Sequence, residues 1–179
     1  MIGGNDLPLS TKEIVVAGML GAISIVLGVT RLGFIPVPTP AGNATIMHIP
    51  AILGAVLEGP VVGALIGLIF GIFSFLQPGA PMFTDPLIAI VPRIFIGIFA
   101  YFAYRSLVKR NENLALITAG IVGTLVNTVF VLGLAVIRDF LPLSAAIGAA
   151  WLHGLPEVVL AAVLVSLVGK GVLKYRRSN

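Results

Sequence analysis

Residues 87–102 read LIAIVPRIFIGIFAYF, an apolar run that carries one full charge, Arg93, with Pro92 directly before it. A guanidinium at membrane depth costs at least ~2.5–3.5 kcal/mol on insertion scales, so something must offset it. Three uses of Arg93 compete: an ion pair within the chain, a snorkelling anchor, or a site for an anionic ligand. The surroundings settle that the run is a span. Of 179 residues, 58% are hydrophobic and only 10% charged, far from the roughly 25% charged of a soluble domain.

Apolar runs recur along the whole chain, at about 11–29, 45–57, 60–76, 86–108, 113–137 and 145–173. Most approach or reach the ~17–25 residues needed to cross a bilayer. The fold class expected is an all-α integral membrane protein, a six-helix transmembrane bundle forming one domain over residues 1–179. The first run follows a lysine but lacks a small-residue cleavage site, so it reads as a first helix rather than a signal peptide. The second is short, ends at Glu58-Gly59-Pro60, and need not span by itself. RLGFIPVPTPAGNAT, between the first two runs, is rich in Pro and Gly and is expected to be a long non-helical outer loop. QPGAPMFTDP after the third run is turn chemistry as well.

The chain has no cysteine, which excludes disulfides, thiolate metal sites and cysteine nucleophiles. A net charge of +4 would suit nucleic acid, but its placement argues otherwise. Lys12, Arg105, Lys109, Arg110, Lys170, Lys174, Arg176 and Arg177 hold eight of the 11 basic positions. They sit at the N-terminus, the 4–5 connection and the C-terminus, which share one side in a six-span chain. That side should be the cytoplasm, with both termini in it.

Small residues set the packing. Gly59, Gly63, Gly67 and Gly71 draw a stripe down the third helix, where close backbone approach replaces a hydrophobic drive that lipid does not supply. The first helix carries Ala17 with Gly21, and Gly18 with Ala22 alongside. Each stripe serves either internal packing or docking of a second membrane protein.

Polar residues converge in depth. Arg93 lies ~10 Å below the outer end of helix four, Asn127 ~15 Å from that of helix five, and Glu157 at least ~9 Å into helix six, at 1.5 Å per residue. Polar groups so placed face a bundle interior or a cavity. The structural alternatives are an Arg93 pair with Glu157 or Asp85, Asn127 as interhelical glue, and Asn43 as a cap of helix two. His48 opens helix two as a hydrogen-bonded residue or a ligand contact, while Gln77, Phe83 and Thr84 border the outer mouth. Enzyme motifs are missing: there is no HExxH, no Gly-x-Ser-x-Gly and no phosphate-binding Gly-Lys-[Ser/Thr] loop. His153 and Glu157, four apart, are a weak metal signal by themselves. A membrane enzyme using that pair, and a scaffold built on the glycine faces, stay open as rival classes.

The run HIPAILGAVLEGPVVGALIGLIFGIFSFLQP, followed by VPRIFIGIFAY, resembles the substrate-binding S-components of energy-coupling factor (ECF) vitamin transporters. The similarity covers essentially the whole chain and is nearest the pantothenate-type members, with riboflavin, folate and cobalamin types next. It implies a non-enzymatic vitamin-capture subunit in a prokaryotic cytoplasmic membrane, surrounded by lipid, with no cofactor, metal or nucleic acid. It implies a pocket that opens outward, supplied by helices four to six, under a first outer loop that closes over the ligand. A transmembrane coupling subunit and two cytoplasmic ATPases are the implied partners, and toppling of the S-component in the membrane the implied route. Family members dock through an Ala-x-x-x-Ala motif on helix one; here Ala17 matches, with Gly21 for the second alanine, and Gly18 and Ala22 beside them. On this reading Arg93 takes a ligand carboxylate, Asn127 and Asn43 add hydrogen bonds, and His48, Phe83, Thr84 and Glu157 complete the site. Pantothenate has one carboxylate, hydroxyls and an amide; riboflavin and cobalamin give a buried arginine less to do, and folate wants a larger aromatic slot.

Overall fold

Six α-helices build the chain in the computed structural model, which describes residues 9–36 and 43–178. In chain order they are α1 (Thr11–Val29), α2 (Ile49–Glu58), α3 (Pro60–Leu76), α4 (Pro86–Leu107), α5 (Glu112–Ile137) and α6 (Leu143–Ser178). Their starts are written in the sequence. Ser10 and Glu13 form a reciprocal capping box at α1, satisfying backbone donors that no helical carbonyl reaches. The Asp85 carboxylate accepts from Leu87 N at 2.9 Å at the head of α4, and Asn111 from Leu114 N at 3.0 Å at the head of α5. Gly59 turns α2 into α3 with φ of 103°, a conformation a Cβ resists, and Pro60 then starts α3 with φ already set.

Helices α1, α4, α5 and α6 are long and apolar enough to cross a membrane; α2 and α3 are shorter. α2 has 10 residues, about 15 Å, or half of a ~30 Å hydrocarbon core. The segment that precedes it, residues 43–48, continues from its N-terminal end. There the connection expected to be non-helical carries a short ladder in an otherwise helical chain: Phe34–Ile35 (β1) and Ala44–Thr45 (β2) pair antiparallel, Phe34 opposite Thr45 and Ile35 opposite Ala44. The pairing gives buried backbone groups partners that a loop would lack. Ser24 of α1 ties this segment down by donating to Met47 O at 3.0 Å, and Thr45 Oγ1 donates to Gly33 O at 3.0 Å. Of the 31–44 loop expected to close over a ligand, residues 37–42 lie outside the described residues. α6 has 36 residues, about 54 Å, and runs past the span anticipated for it because its last turns are held by ion pairs.

Those pairs mark one end of the bundle. Glu58 meets Lys12 at 3.4 Å and also Arg176, and Glu112 meets Arg177. At the opposite end Asp85 meets Arg138 at 2.8 Å, joining the head of α4 to the α5–α6 connection. The glycine stripe is internal packing. A Cβ on Gly63 would reach Gly97 Cα at 2.9 Å, and one on Gly71 would reach Ile90 Cα at 2.9 Å, so α3 lies backbone to backbone on α4. Apolar side chains fill two clusters, one centred on Ile52, Ile66, Ile96 and Leu116, the other on Met82, Ile88, Val131 and Leu141. Arg93, Asn127 and Glu157 are buried where the two clusters meet, against Phe70 of the first and beside Met82 and Val131 of the second.

Candidate functional site

Each polar residue reaches the interior because the helical period puts it on the buried face of its own helix. On α4 the inward face runs through Ala89, Arg93, Ile96 and Ala100; on α5 through Thr124, Asn127, Thr128 and Val131; on α6 through Ala149, His153, Glu157 and Ala161. Apart from the adjacent Asn127 and Thr128, these are spacings of three and four, so each set is one stripe. The stripes meet above the short α2 in two joined chambers of about 390 Å³ each, counting their open sides.

The first chamber is polar. Asn43 and Thr45 enter from the β2 strand and its approach, Arg93 from α4, Asn127 and Thr128 from α5, and His153 and Glu157 from α6. Met82 and Phe83 cover it from the 3₁₀ turn before α4. The second chamber is aromatic, walled by Phe34, Phe70 and Phe73, and shares Asn43, Thr45, Phe83 and Arg93 with the first. Gln77 borders it and, with Arg31, a wider vestibule beyond. Arg93 therefore stands where the two chambers join.

The Arg93 side chain is 2% exposed, and neither carboxylate anticipated as its partner serves it. Asp85 pairs with Arg138, and Glu157 Oε1 accepts the backbone N–H of Thr45. Among the described residues no carboxylate lies within 4.0 Å of the Arg93 guanidinium. Neutral groups hold it instead. Nη1 donates to Ile88 O at 2.6 Å, and the guanidinium carbon sits 4.6 Å from the Phe83 ring centre and 5.3 Å from that of Phe70. A hydrogen bond from a charged donor contributes ~1.5–3 kcal/mol and a desolvated cation–π contact about 2. Together these are of the size of the insertion penalty, so the charge is tolerated without a salt bridge. Recognition capacity is left over. Arg93 Nε, Asn127 Oδ1 and Thr128 Oγ1 are buried and have no hydrogen-bond partner among the described residues.

Of the residues anticipated from sequence, Arg93, Asn127, Asn43, Phe83 and Glu157 come together here. Two do not. His48 is fully buried and lines neither chamber; its Nε2 bonds Thr124 Oγ1 at 2.9 Å. Since Thr124 Oγ1 donates to Gly120 O at 2.8 Å, it accepts from His48, which makes Nε2 the protonated nitrogen. Thr84 is exposed, donates to Pro81 O at 2.8 Å, and faces a surface cleft with Arg138. The 3₁₀ turn points its neighbours Met82 and Phe83 inward in its place. Nor does Asn43 cap α2, whose first turn begins at His48. Thr45, Met82 and Thr128 were missed: threonines bonding backbone are common in apolar helices, and nothing in their spacing distinguishes a wall residue. His153 carried a signal, its spacing of four from Glu157, but toward a metal. No group of three metal-ligating side chains occurs among the described residues.

On α1 the four small residues anticipated as a docking face divide into two pairs. Ala17 and Gly21 are buried, and a Cβ on Gly21 would meet Ile69 Cδ1 at 2.7 Å. Gly18 and Ala22 are exposed, with open space around Gly18. The inward pair is spent on α3, leaving Gly18 and Ala22 as the outward pair.

Apolar helices around a buried, unpaired cation at a cavity define a membrane-embedded protein built to hold a small polar molecule. The family model for the substrate-specific component of ECF transporters matches residues 12–169, and the chain belongs to that family. It is thus a transporter component rather than an enzyme, and a multi-pass protein of the cell membrane. Similar curated proteins include the pantothenic acid transporter PanT of Lactococcus lactis subsp. cremoris, 29% identical over 75% of this chain and 80% of the relative. Pantothenate transporter PanT of Leuconostoc mesenteroides is 28% identical over 89% of this chain and 91% of its own. Among solved structures, ThiT from Listeria monocytogenes superposes with a TM-score of 0.68 at 17% identity, covering 90% of this chain and 95% of that one. The S component of a bacterial ECF transporter gives 0.60 at 21% identity, over 93% and 94%. At these identities the structures share the fold.

Proposed function

We propose that this chain is the high-affinity pantothenate-binding subunit of an ECF importer. The observation that carries the reading is Arg93: a buried guanidinium at a cavity wall, with Nε unbonded and no carboxylate within 4.0 Å among the described residues. A fork of N–H donors in a dry site favours a planar, bidentate anion, which a carboxylate is. Asn127 Oδ1 and Thr128 Oγ1 ask for donors, and pantothenate offers an amide N–H and two hydroxyls beside its one carboxylate. The names of the two curated relatives support the same substrate. Riboflavin would leave the arginine without an anion, and folate asks for a larger aromatic slot.

The basic end, with Lys12, Arg176 and Arg177, faces the cytoplasm by the positive-inside rule. The chambers then open outward, under the β1–β2 segment. The coupling subunit docks on the exposed Gly18–Ala22 face of α1, where small residues let a helix approach closely, and two cytoplasmic ATPases energise the assembly. Isothermal titration of the purified protein with pantothenate tests the site. Tight binding that Arg93→Ala weakens by about a hundredfold or more is expected, as for loss of a buried charged anchor. Unchanged affinity in that variant refutes the assignment.

A further inference from the structure

Pro92 lies inside α4, fully buried, one residue before the cation. A proline has no N–H, so the carbonyl four residues earlier, that of Ile88, loses its helical donor. Ile88 is 0% exposed, and an unpaired carbonyl at that depth has no water to turn to. Its donor is Arg93 Nη1, at 2.6 Å. The helix thus holds a built-in acceptor at the right place to bend the arginine side chain back along its own axis, between Phe70 and Phe83.

We propose that Pro92 is a positioning residue for anion recognition: it releases the Ile88 carbonyl so that this carbonyl can fix the Arg93 guanidinium. With Nη1 engaged there, the edge made of Nε and Nη2 is the one presented to a carboxylate. Fixing the fork before the ligand arrives removes the ordering cost from binding. A residue with an N–H at position 92 would reclaim the carbonyl and leave the fork to swing. The proposal rests on the reading of Arg93 as the carboxylate anchor, and its test separates the two.

Pro92→Ala and Pro92→Leu both restore the N–H, the second keeping apolar bulk in the site. Each is titrated with pantothenate and with panthenol, which carries an alcohol where pantothenate has its carboxylate, beside Arg93→Ala. Both variants are expected to lose about tenfold in pantothenate affinity, the equivalent of one rotamer-rich side chain left to be ordered on binding. Panthenol affinity should hold, so the ratio between the probes narrows, and the ligand-free thermal midpoint should stay or rise as a helix-breaking proline is removed. Without ligand, nitrogen NMR should show the two terminal Arg93 nitrogens resolved in the wild type and averaged by rotation in the variants. Arg93→Ala identifies those signals by their loss. An unchanged probe ratio with unaveraged Arg93 signals overturns the role of Pro92, as does equal loss for both probes. Unchanged pantothenate binding in Arg93→Ala overturns instead the reading beneath it.

Discussion

Gly67→Ala adds one methyl group at the tightest point of the bundle. The new Cβ would fall 2.0 Å from the carbonyl oxygen of Arg93, 2.7 Å from its carbonyl carbon and 3.3 Å from Ile94 N. An ordinary carbon–oxygen approach is ~3.3 Å or more, so α3 and α4 must part by roughly 1.3 Å. All three atoms are backbone, and no rotamer change can clear them. Overpacking of this kind costs about 1–3 kcal/mol, and more where the obstacle cannot relax. The gain in helix propensity, at most ~1 kcal/mol for glycine to alanine, does not cover it.

The displaced backbone is that of Arg93 itself, so the same methyl group should disturb the site. We expect a lowered thermal midpoint by circular dichroism in detergent, and a ligand affinity reduced in the fraction that stays folded. Gly133→Ala on α5 is the control: nothing lies within 4 Å of its Cβ, so it should be neutral or slightly stabilising. If Gly67→Ala unfolds and binds like the wild type while Gly133→Ala does the same, the backbone contact of α3 with α4 at Arg93 is wrong.

Three further outcomes are expected. The Arg138 guanidinium bonded to Asp85, helped by the Leu87 amide, holds that carboxyl below its usual range; a depressed folded-state value stabilises above the unfolded one, near ~4, and is lost as pH falls through the folded value. Thermal midpoints should therefore owe nothing to this pair's titration between pH 5 and 8, and Arg138→Gln should remove part of the loss seen below about pH 4. Glu157→Gln keeps an oxygen for Thr45 N and deletes a negative charge near Arg93, so titration should show pantothenate bound as tightly or a few-fold tighter; Glu157→Ala frees β2 and should bind more weakly than Glu157→Gln. Gly18→Leu fills the outward small face of α1, so uptake by cells carrying the whole transporter should collapse while titration of the isolated subunit stays unchanged.

Much of the fold is legible because helix ends carry local chemistry. The apolar runs opening at 11, 60 and 86 and the Glu58-Gly59-Pro60 break fall on the helix ends the structure shows, and the Ser10–Glu13 box and the Asp85 cap are the local chemistry that fixes two of them. The face of α1 that turns inward is not legible in that way. Ala17 with Gly21 and Gly18 with Ala22 have the same spacing and similar size, and only the position of Ile69 on α3 separates them. The β1–β2 pairing is equally hidden, since two residues a strand carry no period and their register comes from Gly33, Ser24 and Glu157. Arg93 and Asn127 stand out in sequence because charge and amide are costly in an apolar helix. Thr45 and Thr128 do not, because a threonine in an apolar run ordinarily bonds nearby backbone, as Thr45 does at Gly33 O, and the sequence does not show that Thr128 Oγ1 is left unbonded.

The proline beside the arginine changes what that cost means. In sequence, a charge in an apolar helix leaves several uses open, and an ion pair with Glu157 or Asp85 is the structural one among them. In the structure both are engaged elsewhere, and a backbone acceptor exposed by Pro92 takes part of the load without neutralising the cation. An arginine paired to a carboxylate would have to break that pair for every ligand it bound, and the gain would be only the difference between two similar interactions. A carbonyl and two aromatic faces stabilise the side chain while leaving its net charge intact. On the proposed reading of Arg93, the site then keeps most of its attraction for an incoming anion, and the bundle stays folded before one arrives.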